Sequence, residues 1–327
     1  MKRRDFIGLL GGAAAWPLAA RAQQPAMPVI GYLHSASPWQ FTTDFLQGLR
    51  EAGYVEHQNV LIEYRWARGA YERLPALAAE LVALQVDVIF AGGTPAARIA
   101  KTASIIKPAR PIPVVFAAAT DPVAEGFVAS LNRPGGNMTG VTSIAGALAP
   151  KRLDLMHEFL RRDTAIAILI NPGNVLSEAE RKDAEAASGA IGQRLEVLTA
   201  RTEDEIDKAF GLLKQQRVGA LVIAADAFYY GQMQRLATLA AQHAVPTIGP
   251  LREFAAEGGL MSYGARIHDV YRKAGVVVGK VLKGAQPSDL PVQQPTQFEM
   301  VINLRAAKAL GINLSPKLLA LADEVIE

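Results

Sequence analysis

Two apolar runs, Val86 to Ala91 and Pro113 to Ala117, constrain the fold more than any other feature of this chain. Each ends in small polar residues that open a helical pattern. The first breaks at Gly92-Gly93-Thr94-Pro95 and continues through Ala96 to Ala100; the second breaks at Thr120-Asp121-Pro122 and continues through Val123 to Phe127. Val/Ile/Phe runs without alternation are the pattern of parallel strands covered on both faces. Thr94-Pro95 and Asp121-Pro122 read as an N-cap followed by proline at the first helical position. Two helix N-termini would then face one crevice at the carboxyl ends of the strands, where open α/β sheets bind ligands and free backbone N–H groups favour an anion. Either turn alone is also what an ordinary βα connection looks like, so the weight lies in recurrence.

The pattern does recur. Val29 to Leu33, Thr42 to Ala52, Val60 to Trp66 and Tyr71 to Leu84 read as strand, helix, strand and helix, and a short strand near Gly140 to Ser143 closes the first half. In the second half Ala165 to Ile170, Leu195 to Leu198 and Ala220 to Ala224 read as strands. They are interleaved with helices over Leu148 to Leu160, Ser177 to Ile191, Glu203 to Gln215 and Met233 to His243, and short strands follow at Pro246 to Ile248 and Gly259 to Tyr263. Ser177 and Glu180 have capping-box spacing, and Thr202 precedes the third helix as a cap. Alternation of this kind predicts an α/β protein of two Rossmann-like lobes with parallel sheets. The expected lobes are 28–145 with part of 265–300, and 146–264 with part of 300–327. No long linker separates them, so short crossing strands should join them.

The first residues predict export. Lys2-Arg3-Arg4-Asp5-Phe6 precedes an apolar, Gly/Ala-rich stretch from Ile7 to Ala20, and Ala20-Arg21-Ala22 fits a small-x-small cleavage site before Gln23, so residues 1–22 read as a signal. The stretch is too short for a membrane span of about 20 apolar residues, and Arg-Arg-x-Phe resembles a twin-arginine signal. An ordinary secretory signal that happens to hold paired arginines is the alternative. The leader also carries the excess charge: it has four basic residues against one acidic, leaving 30 of each in the remainder. No basic surface is then available to neutralise phosphates, which argues against nucleic acid as a partner.

Enzyme chemistry is hard to find in this sequence. There is no cysteine, which removes thiolate nucleophiles and Cys-type metal sites. Gly31-Tyr32-Leu33-His34-Ser35-Ala36-Ser37 at the first strand lacks a dinucleotide fingerprint, and no phosphate-binding or nucleophile-elbow motif occurs. The five histidines have no metal-ligand spacing, so neither metal nor cofactor is expected. His34 alone falls at a strand's carboxyl end, where it would either touch a ligand or serve as an ordinary loop residue. What the strand ends do supply is recognition chemistry: Ser35, Ser37, Thr94, Thr120, Asn171 and Asn174 as hydrogen-bonding groups, and Asp121 and Asp226 as carboxylates. Trp39, Phe228, Tyr229, Tyr230 and Tyr263 add flat surfaces nearby. Apolar walls with a few placed polar groups make a small-molecule pocket. Asp121 reads better as an N-cap than as an anchor, Asp226 as a partner for a ligand ammonium, and Phe228 and Tyr229 as either pocket or core.

Several segments carry a family resemblance: Gly53-Tyr54-Val55-Glu56, Asn59-Val60, Glu63-Tyr64-Arg65-Trp66-Ala67, Leu74-Pro75-Ala76-Leu77, Asp121-Pro122-Val123, Leu131-Asn132-Arg133-Pro134-Gly135-Gly136-Asn137, Met261-Ser262-Tyr263-Gly264 and Asp289-Leu290-Pro291-Val292. Together they resemble the substrate-binding proteins of ABC transporters, in the branch similar to tryptophan- and tyrosine-uptake proteins. The resemblance implies a type I periplasmic binding fold with a ligand between two lobes, and it points to Ser35, Ser37, Gly93, Thr94, Pro95, Thr120, Asp121, Asn171, Asp226 and Tyr263 as pocket positions. Where many relatives have Asp-Pro-Phe-Phe, this chain has Asp226-Ala227-Phe228-Tyr229, so the rim of the second lobe differs. The function so implied is a monomeric, exported solute-binding protein that holds a carboxylate-bearing, amino-acid-like or aromatic ligand for an ABC permease. The competing expectations are a periplasmic ligand sensor and an enzyme, a lyase or isomerase, on the same scaffold.

Overall fold

The computed structural model describes residues 27–38, 40–106, 110–160 and 164–327. The leader expected at 1–22 and the candidate Trp39 lie outside them. Strands β1 (Val29–His34), β2 (Leu61–Trp66), β3 (Val88–Gly92), β4 (Val114–Ala118) and β5 (Met138–Thr142) form a parallel sheet in the order β2-β1-β3-β4-β5. Helices α1 (Thr42–Glu51), α2 (Leu74–Ala83) and α3 (Thr94–Ile106) accompany it. Every residue of β3 and β4 is buried, as their unalternating sequences require. Ile89, Val114 and Phe116 point to the side covered by α2 and α3; Ile30, Phe90 and Val115 point to the side covered by α1.

The second sheet is built the same way. Helix α4 (Ala149–His157) leads into β6 (Ala165–Ile170), α5 (Ser177–Ile191), β7 (Leu195–Thr199), α6 (Glu203–Leu213), β8 (Val218–Ile223), α7 (Ala227–Tyr230), α8 (Met233–Gln242), β9 (Thr247–Gly249), α9 (Arg252–Ala256) and β10 (Met261–Ala265). After helix α10 (Ile267–Leu282) the chain returns with β11 (Phe298–Asn303), α11 (Leu304–Ala309), α12 (Pro316–Ala320) and β12 (Glu324–Ile326). The order is β12-β11-β10-β9-β8-β6-β7, parallel except for the β10–β11 pair. Its core, β7-β6-β8-β9-β10, repeats the order of the first sheet. Each sheet therefore has one place where strand order reverses, between β1 and β3 and between β6 and β8, and ligands of such folds sit outside the carboxyl ends at that point.

Helix α10 follows a strand of the second sheet but packs on the first, against α1, β3, β4 and β5. Farther on, Gln293 bonds to the edge of β5, its N–H to Gly140 O and its carbonyl to Thr142 N, both at 2.9 Å, before the chain returns to the second sheet as β11.

Two local expectations are corrected. Residues after Thr120-Asp121-Pro122 do not form a helix. The Asp121 carboxylate does accept from Val123 N (2.8 Å) and Ala124 N (3.3 Å), but Gly126, at φ +64°, closes the segment after one turn by donating to Val123 O at 2.9 Å. Ser177 and Glu180 do not form a capping box either. Leu176 is the N-cap of α5, Ser177 Oγ donates to the Asn171 carbonyl, and the Glu180 carboxylate accepts from Ala225 N at 3.1 and 3.2 Å. Thr202 does cap α6, accepting from Glu205 N.

Candidate functional site

The two reversal points face each other across a cleft. From the first lobe come His34 at the end of β1, the Gly93-Thr94-Pro95 turn after β3, and Ala117, Ala118 and Ala119 at the end of β4. From the second come Asn174 and Leu176 after β6, and Ala225, Ala227 and Tyr230 after β8. Ser143 from the crossing segment, and Ile267, Val270 and Tyr271 from the first turns of α10, complete it. The cleft takes up about 490 Å³, counting the part that opens to solvent at its mouth.

The Gly93 turn is shaped by its neighbours. Gly93 has φ +92°, and a Cβ there would lie 2.8 Å from Ser35 Oγ, so a side chain is disfavoured twice over. That hydroxyl accepts from Ala96 N at 3.0 Å, capping α3 from outside, while Thr94 Oγ1 accepts from Ala119 N at 3.1 Å and ties the β3 turn to the β4 turn. Thr94 still holds a hydroxyl proton to donate into the cleft.

His34 is fixed in one protonation state. Its Nδ1 accepts from Ala36 N at 2.9 Å, which leaves the proton on Nε2, donated to the Tyr271 hydroxyl at 2.7 Å. Burial pushes its pKa down to about 3, so the ring stays neutral at physiological pH. None of the lining side chains carries a charge.

The nearest charges lie behind the walls. Arg152 is fully buried, its guanidinium donating to the carbonyls of Tyr263 (3.2 Å), Ile223 (3.4 Å) and Ala145. Burial lowers its pKa, which Glu180 opposes only when ionised; burial pushes Glu180 itself up to about 8, so it carries its proton at neutral pH. Asp226, only 2% exposed, caps α7 through Phe228 N (2.9 Å) and Tyr229 N (3.2 Å). It also accepts from Asn171 Nδ2 (3.2 Å), Asn174 Nδ2 (2.8 Å) and, from the other lobe, Tyr71 OH (2.9 Å). With five donors the carboxylate has no oxygen left for a ligand ammonium, so the structure gives Asp226 a different task from the one expected. Burial raises its pKa and these hydrogen bonds hold it down.

Among the sequence-derived candidates, the structure brings His34, Gly93, Thr94, Pro95, Asn174 and Tyr230 to the cleft wall. Ser35, Asn171 and Asp226 stand one layer behind it, with their hydrogen bonds spent inside the protein. Ser37 is exposed beyond the turn, Asp121 is an exposed turn residue, and Thr120 contributes its carbonyl to Thr142 Oγ1 at 2.6 Å. Phe228 packs on Gly69 of the first lobe, and Tyr263 is half-buried against Phe298. Tyr229 belongs to the core, its hydroxyl bonded to Ala200 O. Tyr271, Ile267 and Val270 were not legible as site residues. Their i, i+3, i+4 spacing marks one helix face, but nothing local says that this face meets the other lobe.

The geometry agrees with the comparisons to known proteins. Residues 28–326 match the family described as ABC transporter substrate binding protein. A tyrosine-binding protein of Clostridioides difficile (strain R20291) is 26% identical over 268 residues, 82% of this chain and 75% of that protein. The crystal structure of an ABC domain in complex with L-Trp from Streptococcus pneumonia superposes with TM-score 0.79 at 25% identity, covering 92% of this chain and all of that one. A conserved domain protein from Vibrio cholerae shares the fold at TM-score 0.81 and 24% identity, over 91% of this chain and 99% of that one. With two parallel α/β lobes of type I periplasmic binding architecture, a cleft at both reversal points and a family match across all but the ends of the described chain, this protein belongs to the ABC transporter substrate-binding protein family, whose members bind rather than transform their ligands.

Proposed function

We propose that this protein captures an aromatic amino acid, or a close analogue with a free carboxylate, between its lobes and presents it to an ABC permease. On this reading it works as a monomer in the periplasm, after export by the twin-arginine route. The observation that carries the ligand class is the lining: alanines, leucine, isoleucine and valine with two tyrosines, a neutral histidine and no charged side chain. A sugar, with a hydroxyl on nearly every carbon, would need more unspent donors and acceptors than Thr94 and Ser143 offer. An aromatic side chain buries about 150–250 Å², which at roughly 25 cal/mol per Å² is about 4–6 kcal/mol. The N-terminus of α3 adds up to about 2 kcal/mol for a carboxylate, and a hydrogen bond from Thr94 to that charge about 1.5–3 kcal/mol. Together these reach the roughly 8 kcal/mol of a micromolar complex.

Only one of the two expected helix termini is present, so the carboxylate is better supported at Gly93-Thr94-Pro95 than at Thr120-Asp121. The tyrosine- and tryptophan-binding relatives point to the same class. Calorimetry with L-tryptophan, L-tyrosine and D-glucose tests it. Micromolar binding of an aromatic amino acid, weakened about tenfold by Thr94→Val for the acid but not for its amide, is expected from the loss of one charged hydrogen bond. Binding of glucose with no response to either amino acid would overturn it.

A further inference from the structure

We propose that Glu180 is a specificity-determining residue of the cleft: protonated, it lets the site take an anionic ligand, and ionised, it repels one. This rests on the cleft taking a carboxylate at Gly93-Thr94-Pro95. Glu180 sits on α5, buried one layer behind the second-lobe wall. Both of its carboxyl oxygens face Ala225 N, at 3.1 and 3.2 Å, and Ala225 lines the cleft. On its other side the carboxyl meets the segment that crosses between the lobes. A Cβ on Gly146 would lie 3.6 and 3.8 Å from Glu180 Cγ and Cδ, and 3.3 Å from the Ala119 carbonyl, which accepts from Gly146 N at 3.0 Å. Ala119 also lines the cleft, and its N–H donates to Thr94 Oγ1 at 3.1 Å. Two residues, Gly146 and Ala119, thus join Glu180 to the place proposed for the ligand carboxylate.

The charges around Glu180 balance only while it is neutral. Arg152 comes from α4, whose Lys151 and Asp154 are exposed, and donates to the carbonyls of Ala145, Ile223 and Tyr263 rather than to Glu180. Asp226, after β8, holds a buried carboxylate on five donors. Asp183 lies on Glu180's own helix, Tyr229 and Tyr230 stand beside it as neutral hydroxyls from α7, and Glu196 of β7 faces Arg194 at 3.6 Å. Strand β6 and the turn Ala145–Leu148 bring no ionisable group. One buried arginine and one buried aspartate offset each other, and an ionised Glu180 adds a second carboxylate beside the cleft. Burial holds its pKa at about 8, with Arg152 opposing and Asp226 and Asp183 assisting. The site therefore suits an anion below pH 8 and loses that preference as pH rises through 8. A unit charge about 10 Å from a ligand carboxylate, at an effective dielectric constant of about 20, weakens its binding roughly tenfold.

The test is calorimetric titration of L-tryptophan and L-tyrosine into the parent and Glu180→Gln from pH 6.5 to 9.5. Glutamine has the shape of the protonated acid and stays neutral throughout, and the ligand's own groups titrate alike against both proteins. The two should bind equally at pH 6.5, and by pH 9.5 the parent's Kd should exceed the variant's about tenfold, the size of that charge effect. At pH 8.5, buffers of different ionisation enthalpy should show the parent taking up a fraction of a proton on binding that the variant does not. Superimposed pH profiles with binding intact overturn this inference alone and leave the proposed function standing. A Glu180→Gln Kd already raised at pH 6.5 also overturns it, since Glu180 would then act as an anion or shape the wall. Binding of neither amino acid at any pH overturns the proposed function and this inference with it.

Discussion

Helices α1 and α10 approach each other so closely that glycine is required on both. A Cβ on Gly48 would overlap the carbonyl oxygen of Arg272; one on Gly275 would overlap the carbonyl oxygen of Phe45 and stand 2.8 Å from Leu49 N; one on Gly279 would run into Ala52 Cβ. At Gly48 and Gly275 the obstacle is backbone, which cannot rotate away as a side chain can. Gly275→Ala must therefore push α10 off α1, loosening the packing of Phe45, Leu49, Ala274 and Val278. Overpacking of this kind costs about 1–3 kcal/mol, and more where nothing yields. The helix-propensity gain of Gly→Ala, about 1 kcal/mol, works against it. We expect a net loss of about 2 kcal/mol. The contrast is Gly189→Ala in α5, where a Cβ meets nothing within 4 Å; it should gain about 0.5–1 kcal/mol. Urea unfolding followed by circular dichroism reads both. The first turns of α10 also carry Ile267, Val270 and Tyr271 into the cleft, so Gly275→Ala should weaken ligand binding while Gly189→Ala does not. If Gly275→Ala unfolds at the parent's urea midpoint or above it, the two helices are not held backbone to backbone as described.

Other expectations follow from the buried charges and the leader. The Glu180 carboxyl, pushed up to about 8 by burial, keeps its proton in the folded protein where the unfolded chain, titrating near 4.5, has lost it. Stability should thus fall as pH rises from 4.5 towards 8, by up to about 1.4 kcal/mol per pH unit; urea midpoints at pH 6.5 and 8 should show the decline in the parent and its disappearance in Glu180→Gln. Asp226→Ala takes an acceptor from two asparagine amides, the Tyr71 hydroxyl and the N–H groups of Phe228 and Tyr229, of which Phe228 N keeps the Tyr71 oxygen, and should cost about 3–5 kcal/mol in the same assay; a loss under 1 kcal/mol would mean that water replaces the carboxylate. Lys-Lys in place of Arg3-Arg4 should leave precursor in the cytoplasm, as fractionation and immunoblotting would show; normal export would exclude the twin-arginine route.

How much of this was legible depends on the range over which each signal acts. Strands β1 to β10 were, because a run such as Ala165–Ile170 must be covered on both faces wherever it lies in the fold; the three-residue edge strand β12, half-exposed and without such a run, was not. The place of the Gly93-Thr94-Pro95 turn was legible for the same reason, since Gly93's backbone angle and Pro95's ring are local constraints; its cap was not, because Thr94 is the first helical residue and Ser35 supplies the capping hydroxyl. Val123 to Phe127 misled because one residue, Gly126, decides whether a first helical turn continues, and its left-handed conformation is set by the fold around it.

Polar side chains were read least well, and the reason is physical. A serine, threonine or aspartate next to a helix start has a nearby backbone partner, so capping is its default local role. In a buried crevice every polar atom must find a partner, and a distant one serves as well as a neighbour. Ser35 therefore caps a helix 61 residues away, Thr94 holds the turn after the next strand, and Glu180 reaches Ala225, 45 residues on. The residues that looked able to grip a ligand are largely consumed in building the walls. What remains facing the cleft is mainly apolar surface, with two tyrosines, the neutral His34, Ser143, Asn174 and the start of α3, and on the proposed reading such a site gains affinity mainly by closing over a large flat ligand. Closing requires that two lobes meet with matched groups, and for Asp226 and Tyr71 the matched group lies on the opposite lobe. That pairing spans 155 residues and has no periodicity, spacing or neighbouring turn to announce it; only the two sheets, each reversing its strand order at the same point, bring it about.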